Sequence, residues 1–348
     1  LAPELARSAV EGRSVLITGA GGSIGHRLAL AALSGDPRRL VLLDVSEAAL
    51  YESYRRLAAA SAIEIVPVTG SVADGGFLAH LLAHYNPDVI FHAAAYKHVP
   101  LMERNPFSAV ANNAIGTYTL AIAALEAGVS RVIAVSTDKA VHPRSFMGAS
   151  KRIAELALLS HSNETTRMNA IRLCNVLGSS GSVSALFEEQ AEHGSPLTVT
   201  HPEAERYFLA PAEAEAAILR AAASPAWGRI LVPDCGQPFR IVDLARFIAK
   251  QREAREAGIE FTGPRPGDKL REDLLAEDEI VEAQLAGGIR VVASPHPGAK
   301  EIAVSMQRLQ LAVDRFDYPE LLAAITELVP SYVAAEACNS PDGLSRAR

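Results

Sequence analysis

Thr137, Asp138 and Lys139 place a hydroxyl, a carboxylate and an ammonium group on three consecutive residues, and Lys151 adds a second ammonium. These are the parts of an acid–base site. A carboxyl group can protonate a leaving group, and an amine with a lowered pKa can accept a proton. The apolar run over 131–135 reads as a buried parallel strand. The trio therefore falls at a strand's carboxyl end, where open α/β sheets collect their ligands. Pro143 delays the next helix, whose pattern runs over 146–159 with Met147 and Lys151 one turn apart on one face. The competing reading is a strand end with solvated charges and a core methionine. It explains each residue alone but not their convergence.

The elements around this stretch repeat one theme. Ser14–Thr18 is an apolar strand that runs into Gly19, Ala20, Gly21, Gly22, Ser23, Ile24 and Gly25, followed by a helical segment over 26–33. Strand, glycine turn and helix form a pyrophosphate cradle at a helix N-terminus. A second strand over 40–43 ends at Asp44, about 20 residues beyond the glycines, the spacing of a ribose-binding carboxylate. A carboxylate there takes both ribose hydroxyls and repels a 2′-phosphate, so NAD is expected rather than NADP. The alternative for Asp44 is a turn carboxylate ahead of the helix Glu47–Ala60. A third strand over 63–68 leads to Gly70, Ser71 and Val72. A helix over 76–85 and the strand Val89–His92 then run into Ala93, Ala94 and Ala95, again small where a cofactor must approach. Ser46, Ser71, Val72, Ala93, Ala94, Ala95, Lys97, Asn113 and Lys151 complete the expected cofactor-facing set. The alternation predicts an α/β fold, a Rossmann-type doubly wound parallel sheet.

The loop after the fourth strand, Tyr96 to Glu103, is polar and aromatic, so Lys97 and His98 are candidates to meet a substrate; an ordinary loop and cap is the alternative. Asn112 and Asn113 interrupt an apolar helix over 109–127, which implies hydrogen bonds to backbone or site water. A sixth strand over 169–173 precedes a loop with Asn175, Ser182 and Val183. The second half is less regular. It reads as an extended piece at 195–201, the helix Pro211–Ala223, a strand over 229–233 and an amphipathic helix over 243–257. The loop 263–269 carries Arg265 and can grip phosphate or serve as a simple turn. Beyond 277 the pattern gives extended pieces, the helix Tyr318–Leu328 and a disordered tail over 339–348.

Composition narrows the function. Of 348 residues, 49 % are hydrophobic and 21 % charged, enough for a substantial core. The net charge of −7 argues against a general nucleic-acid binder, which needs surplus Lys and Arg. Cys174, Cys235 and Cys338 show no metal spacing and read as free thiols in a reducing cytoplasm. The histidines do not cluster, so no metal is expected. With no long apolar run, these residues are expected to be cytoplasmic, without membrane contact. The first residue is Leu, consistent with a processed or excised portion of a longer protein.

The glycine loop, the strand-end cluster and Lys151 resemble the extended short-chain dehydrogenase/reductase superfamily. Tyr96-Lys-His-Val-Pro-Leu-Met-Glu103, Ser136-Thr-Asp-Lys-Ala-Val141, Met147-Gly-Ala-Ser-Lys-Arg152, Asn175-Val-Leu-Gly178, Arg206-Tyr-Phe208 and Arg265-Pro-Gly-Asp-Lys-Leu270 occur in order. Together, over roughly residues 10 to 335, they are similar to the UDP-N-acetylglucosamine 4,6-dehydratases of the polysaccharide-biosynthesis branch. Most of the superfamily has Tyr where this chain has Met147, and that replacement is typical of the resembled subgroup. Ser71 stands where the family usually has an adenine-contacting Asp. His142, Arg144 and Ser145 replace residues that are more often Asn and Thr-Asn.

The resemblance implies an NAD-binding core over 1–175, joined by elements from the second half, a mainly UDP-sugar-binding lobe over 176–335 and a tail over 336–348. It implies Thr137 on the C4 hydroxyl, Asp138 as the acid for the C6 leaving group and Lys139 as the C5 base. Lys151 would hold the nicotinamide ribose, while Met147 packs or leaves room. Lys139 then needs a lowered pKa. Asn175, Ser182, Val183, Arg206 and Arg265 would hold the UDP-sugar, with Lys97 and His98 near the sugar. The resemblance also implies a homodimer or higher oligomer with helices near 109–127 and 155–161 at the interface. Long members of this branch carry an N-terminal membrane portion, so the chain could be the cytosolic part of one. A C5-inverting dehydratase, a nucleotide-sugar epimerase and a non-enzymatic NAD-binding scaffold are the alternatives.

Overall fold

Strand and helix alternate through the first half of the chain. The computed structural model describes residues 2–252 and 258–334. Cys338, the expected tail and the end of the helix expected over 243–257 lie outside the described residues. In order come α1 (Ala2–Val10), β1 (Ser14–Thr18), α2 (Ser23–Leu33), β2 (Arg39–Asp44), α3 (Glu47–Ala60), β3 (Glu64–Thr69), α4 (Gly75–Tyr85) and β4 (Val89–His92). Short α5 (Val99–Glu103) and α6 (Pro106–Ala109) lead through a π turn, Val110–Ile115, into α7 (Gly116–Glu126). Then come β5 (Arg131–Thr137), a 3₁₀ turn over Asp138–Ala140, α8 (Phe146–His161) and β6 (Arg167–Leu173).

The second half adds β7 (Asn175–Val176), α9 (Val183–Glu192), β8 (Leu197–Val199), β9 (Glu205–Arg206), β10 (Phe208–Leu209), α10 (Pro211–Ala223) and β11 (Arg229–Val232). It continues with β12 (Phe239–Arg240), α11 (Ile241–Gln251), β13 (Ile259–Phe261), β14 (Ile280–Leu285), β15 (Ile289–Ala293), α12 (Ala299–Asp314) and α13 (Tyr318–Leu328).

Among the described residues, nine strands form one sheet of order β14-β15-β11-β6-β5-β4-β1-β2-β3. β1 to β6 and β11 run parallel, and the β14–β15 hairpin joins antiparallel at the β11 edge. The order 3-2-1-4-5-6 is that of a doubly wound nucleotide-binding sheet. β1 and β4 are buried along their whole length, as strands covered on both faces must be. Local chemistry sets the helix starts: Ser46, Asp74 and Ser145 cap α3, α4 and α8 through side-chain acceptors.

Several expectations are corrected. The helix expected over 109–127 is broken into α6, the π turn and α7. Helix α12 falls where extended pieces were expected, and α9 follows the loop expected over 175–183, in residues to which no element was assigned. Ahead of α9, Gly178 and Gly181 dominate the local pattern; in α12, polar residues dilute the stripe Ile302, Met306, Leu309 and Ala312. Cys174 and Cys235 are not free thiols but form a disulfide. Cys174 follows β6 and Cys235 follows β11; these strands are parallel neighbours, so their carboxyl ends meet although 61 residues separate the cysteines.

On the helices expected near an oligomer interface, α12 and α13 cover one set of apolar residues. Ile302, Met306 and Leu309 of α12, with Leu321 and Ile325 of α13, bury into one cluster with Val110, Ile115, Ile153 and Leu156. Ser160 donates to the Pro297 carbonyl at 2.8 Å, and the His161 ring meets Tyr118 edge-on.

Candidate active site

The Thr137–Asp138–Lys139 trio sits where β5 ends. Thr137 is the last residue of the strand and caps the 3₁₀ turn, its hydroxyl accepting from the Lys139 N–H at 3.4 Å and donating to Asp138 Oδ1 at 2.9 Å. Lys139 Nζ donates to the same Oδ1 at 2.9 Å and to Asn175 Oδ1 at 3.2 Å. Asp138 is fully buried, and its Oδ2 has no hydrogen-bond partner among the described residues. Helix α8 presses directly on this turn. A Cβ on Gly148 would lie 2.4 Å from the Lys139 carbonyl oxygen, so only glycine permits the approach.

The role given to Lys139 requires a lowered pKa, and the fold does the opposite. Burial favours the neutral amine, but the carboxylates of Asp138 and Glu272 outweigh it and the pKa is raised. The lysine with the lowered value is Lys151, pulled down to about 8 by burial, with Glu155 opposing. Met147 is buried in the cluster of Met102, Phe146 and Ile153. It offers no titratable atom there.

The glycine turn forms a second compartment, at the point where the sheet order reverses between β1 and β4. A cleft of about 330 Å³ is lined by Gly19, Gly21, Gly22, Asp44, Ser46, Ser71, Val72 and Ala93 to Ala95. Gly19 has a positive φ of 69°, and a Cβ there would lie 2.6 Å from the Ala94 nitrogen, forcing the two walls apart. Asp44 Oδ2 accepts from the Gly21 N–H and Oδ1 from the Ser46 N–H, both at 2.9 Å. The carboxylate is thereby fixed at the end of β2, where a ribose would meet it. These residues fit a dinucleotide. Gly25 is buried in the first turn of α2. Ser23 reaches across the fold: its Oγ lies 2.8 Å from Ser180 Oγ and accepts from the Ser180 N–H at 3.0 Å.

Asn112 rather than Asn113 lines the cleft. The Asn113 amide is saturated by protein: Oδ1 accepts from the Tyr96 N–H and from Asn112, and Nδ2 donates to the Tyr96 carbonyl and Ser150. It clamps the Tyr96 loop to α8. Beneath it, His92 bridges Thr18 and Thr117, and burial, helped by Lys151, lowers its pKa to about 3, so the ring is neutral.

The substrate candidates divide. Asn175 touches Lys139, and Arg206 lies 3.9 Å from Glu272, whose charge acts on Lys139. His98 packs against Gly181 of the loop after β7. Ser182 caps α9, with Val183 its first residue. Arg265 folds back on Asp268, Nε to Oδ2 at 2.9 Å, and its side chain is half exposed.

Two groups escaped sequence reasoning. Glu272 ends the Arg265–Leu270 motif two residues later, and only its proximity to that motif could have signalled it. The second is a buried charge network: Arg172 pairs with Glu155 at 2.8 Å and Glu279 at 2.6 Å, Arg152 joins both carboxylates, and Ser136 donates to Glu155 at 2.6 Å. Burial would raise the Glu155 pKa, but Arg172 holds it down near 2. The network ties β5 and β6 to α8 just behind the trio.

Residues 15–294 match the family described as polysaccharide biosynthesis protein. The chain belongs to this family. Among its members, the capsular polysaccharide biosynthesis protein CapD of Staphylococcus aureus is 43 % identical over 279 residues, covering 78 % of this chain and 47 % of CapD. The chain thus spans about half the length of that relative. Among solved structures, Pen from Bacillus thuringiensis superposes with a TM-score of 0.77 at 27 % identity, covering 84 % of this chain and 92 % of Pen. DesIV, a dTDP-glucose 4,6-dehydratase from Streptomyces venezuelae solved with NAD and TYD bound, gives 0.68 at 22 % identity, covering 88 % and 99 %. At that identity DesIV speaks for the Rossmann-type fold alone. Among the described residues, no helix is long and apolar enough to cross a membrane.

Proposed function

We propose that the chain is an NAD-dependent 4,6-dehydratase of a UDP-N-acetylhexosamine, UDP-N-acetylglucosamine first, with retention at C5. The observation that carries this reading is the Thr137–Asp138–Lys139 cluster at the end of β5, with a methionine where a phenol would otherwise act. NAD, when bound, supplies the hydride acceptor for C4 and the donor for C6. Gly19 to Gly25 hold its pyrophosphate, Asp44 its adenosine ribose and Lys151 the nicotinamide side.

The protons are the protein's task. Thr137 Oγ1 orients the C4 hydroxyl. Elimination across C5–C6 needs Asp138 protonated and Lys139 neutral. The 2.9 Å contact between Lys139 Nζ and Asp138 Oδ1 can carry that transfer, turning the ion pair into an acid and an amine once a bound sugar excludes water. Asp138 then protonates the departing C6 hydroxyl, giving water, and Lys139 takes the C5 proton. The ion pair is restored. Lys139 returns a solvent-exchanged proton to C5. The proton freed from the C4 hydroxyl passes to water, and solvent returns one proton to Lys139 after it has protonated C5, so the cycle closes with no net gain or loss of protons.

The test is NMR of UDP-N-acetylglucosamine with the protein and NAD⁺ in D₂O. The expected product is a 4-keto-6-deoxy sugar with deuterium at C5, its couplings reporting retention. Inversion at C4 without deuterium at C5 would make the chain an epimerase. An unchanged spectrum across UDP- and dTDP-sugars would leave a binding scaffold.

A further inference from the structure

We propose that Glu272 is a positioning residue of this site: paired with Lys269 and Arg206, it anchors the turn that carries Asp138 and Lys139 and presents a fixed negative charge to that turn. This rests on the reading of Lys139 as the group that moves the C5 proton.

Glu272 is 3 % exposed. An isolated carboxylate buried to that degree costs several kcal/mol unless it is paired. Its companions are all cations. Lys269 Nζ lies 3.0 Å away, close enough for an ion pair though not aligned as a hydrogen bond, and Arg206 Nε lies at 3.9 Å. The Glu272 charge also favours the ammonium form of Lys139.

Two of these cations lead from Glu272 into different elements. Lys269 Nζ donates to the Val141 carbonyl at 2.6 Å, and the Val141 N–H closes the 3₁₀ turn on the Asp138 carbonyl at 3.1 Å. Arg206 Nη1 donates to the carbonyls of Glu205 and Leu270, at 2.7 and 3.1 Å. One carboxylate thus anchors both the catalytic turn and the arginine beside it.

The groups around Lys139 pull in opposite directions. Asp138 and Glu272 favour the ammonium, Arg206 opposes it, and Asn175 is neutral. Asp138 must change its own protonation during the reaction, so it cannot supply a constant bias. Glu272 is paired with Lys269 and takes no part in the proton transfers, so its charge persists through the cycle. It can therefore favour the ammonium that Lys139 becomes on taking the C5 proton.

Competitive acetylation with a water-soluble N-hydroxysuccinimide ester, read by mass spectrometry at the Lys139 peptide, reports the neutral amine and needs no substrate. The Lys139 side chain is 21 % exposed, and exposed Lys300 serves as internal reference. At pH 8 the Glu272→Gln variant should label Lys139 about tenfold faster than wild type, the effect of removing one nearby opposite charge. Glu272→Asp keeps the charge and should label within about twofold of wild type. Arg206→Gln removes a like charge and should label several-fold more slowly; it decides the matter if Glu272→Gln does not fold. An unchanged rate in Glu272→Gln, or faster labelling in both Gln variants, overturns the proposal, since loosened packing would speed both. The labelling also separates the two readings. The expected rates without sugar turnover would sink the dehydratase and leave the charge-setting role of Glu272, and turnover with unchanged labelling would do the reverse.

Discussion

Lys151 is 5 % exposed on the first turns of α8, and burial lowers its pKa to about 8. The folded chain therefore disfavours its charged form, by up to about 3 kcal/mol on the scale of one pKa unit per 1.36 kcal/mol. The sign follows from the direction of the shift. Between pH 8 and 10.5 the unfolded chain holds this proton more tightly, so the stability contribution of Lys151 rises with pH across that window. A Lys151→Met variant should gain roughly 1 to 3 kcal/mol in urea unfolding at pH 7, with an unchanged slope, while turnover falls by about 10²-fold or more. A variant no more stable than wild type would mean that the buried ammonium is not held at a cost. At this scale the trio was legible because its members are contiguous and follow an apolar run. The raised pKa of Lys139 was not, because Asp138 outweighs burial only together with Glu272, which lies more than a hundred residues away in sequence.

Helix α8 delivers Met147, Gly148 and Lys151 to the site, and its N-terminus is held from two sides. Ser145 Oγ accepts from the Gly148 N–H at 3.0 Å, and Glu103 of α5 accepts from the Phe146 N–H at 2.6 Å. Burial pushes the Glu103 pKa up to about 7, against the bond from Phe146. A raised carboxyl pKa contributes stability that is full below about pH 4.5 and lost as pH climbs through 7. Wild type should therefore lose up to about 3 kcal/mol through that window relative to Glu103→Gln, which keeps the acceptor and does not titrate. Urea midpoints at pH 4.5, 6 and 8 measure it; parallel curves for the two proteins would reject the assignment. The parallel strands and α3, α10 and α13 were legible because their periodicity is strong and their caps are local. The π turn was not, since an apolar helix pattern does not register one extra residue per turn. Nor was Arg172, which reads as one polar residue in a strand until Glu155 and Glu279 close around it.

At the scale of the whole molecule, the C-terminal pair α12 and α13 covers one apolar surface of the nucleotide-binding core. Their apolar residues cover Val110, Ile115, Ile153 and Leu156 in a single buried cluster. This arrangement was illegible in sequence because nothing local in the α12 stripe says which helix it will meet. The disulfide was illegible for a related reason, since strand order brings its two cysteines together. The consequence for assembly can be measured. A chain ending at Gly298 loses both helices and uncovers an apolar face of the kind that drives helix–helix association. Sedimentation velocity should show this shortened chain in a larger assembly than the full chain at equal concentration, or lost to aggregation. Leu309→Asp places a charge in the same cluster and should shift the full chain the same way. If both proteins sediment as the full chain does, the covered face has no tendency to associate. Any oligomer would then have to be built on a surface that α12 and α13 leave open.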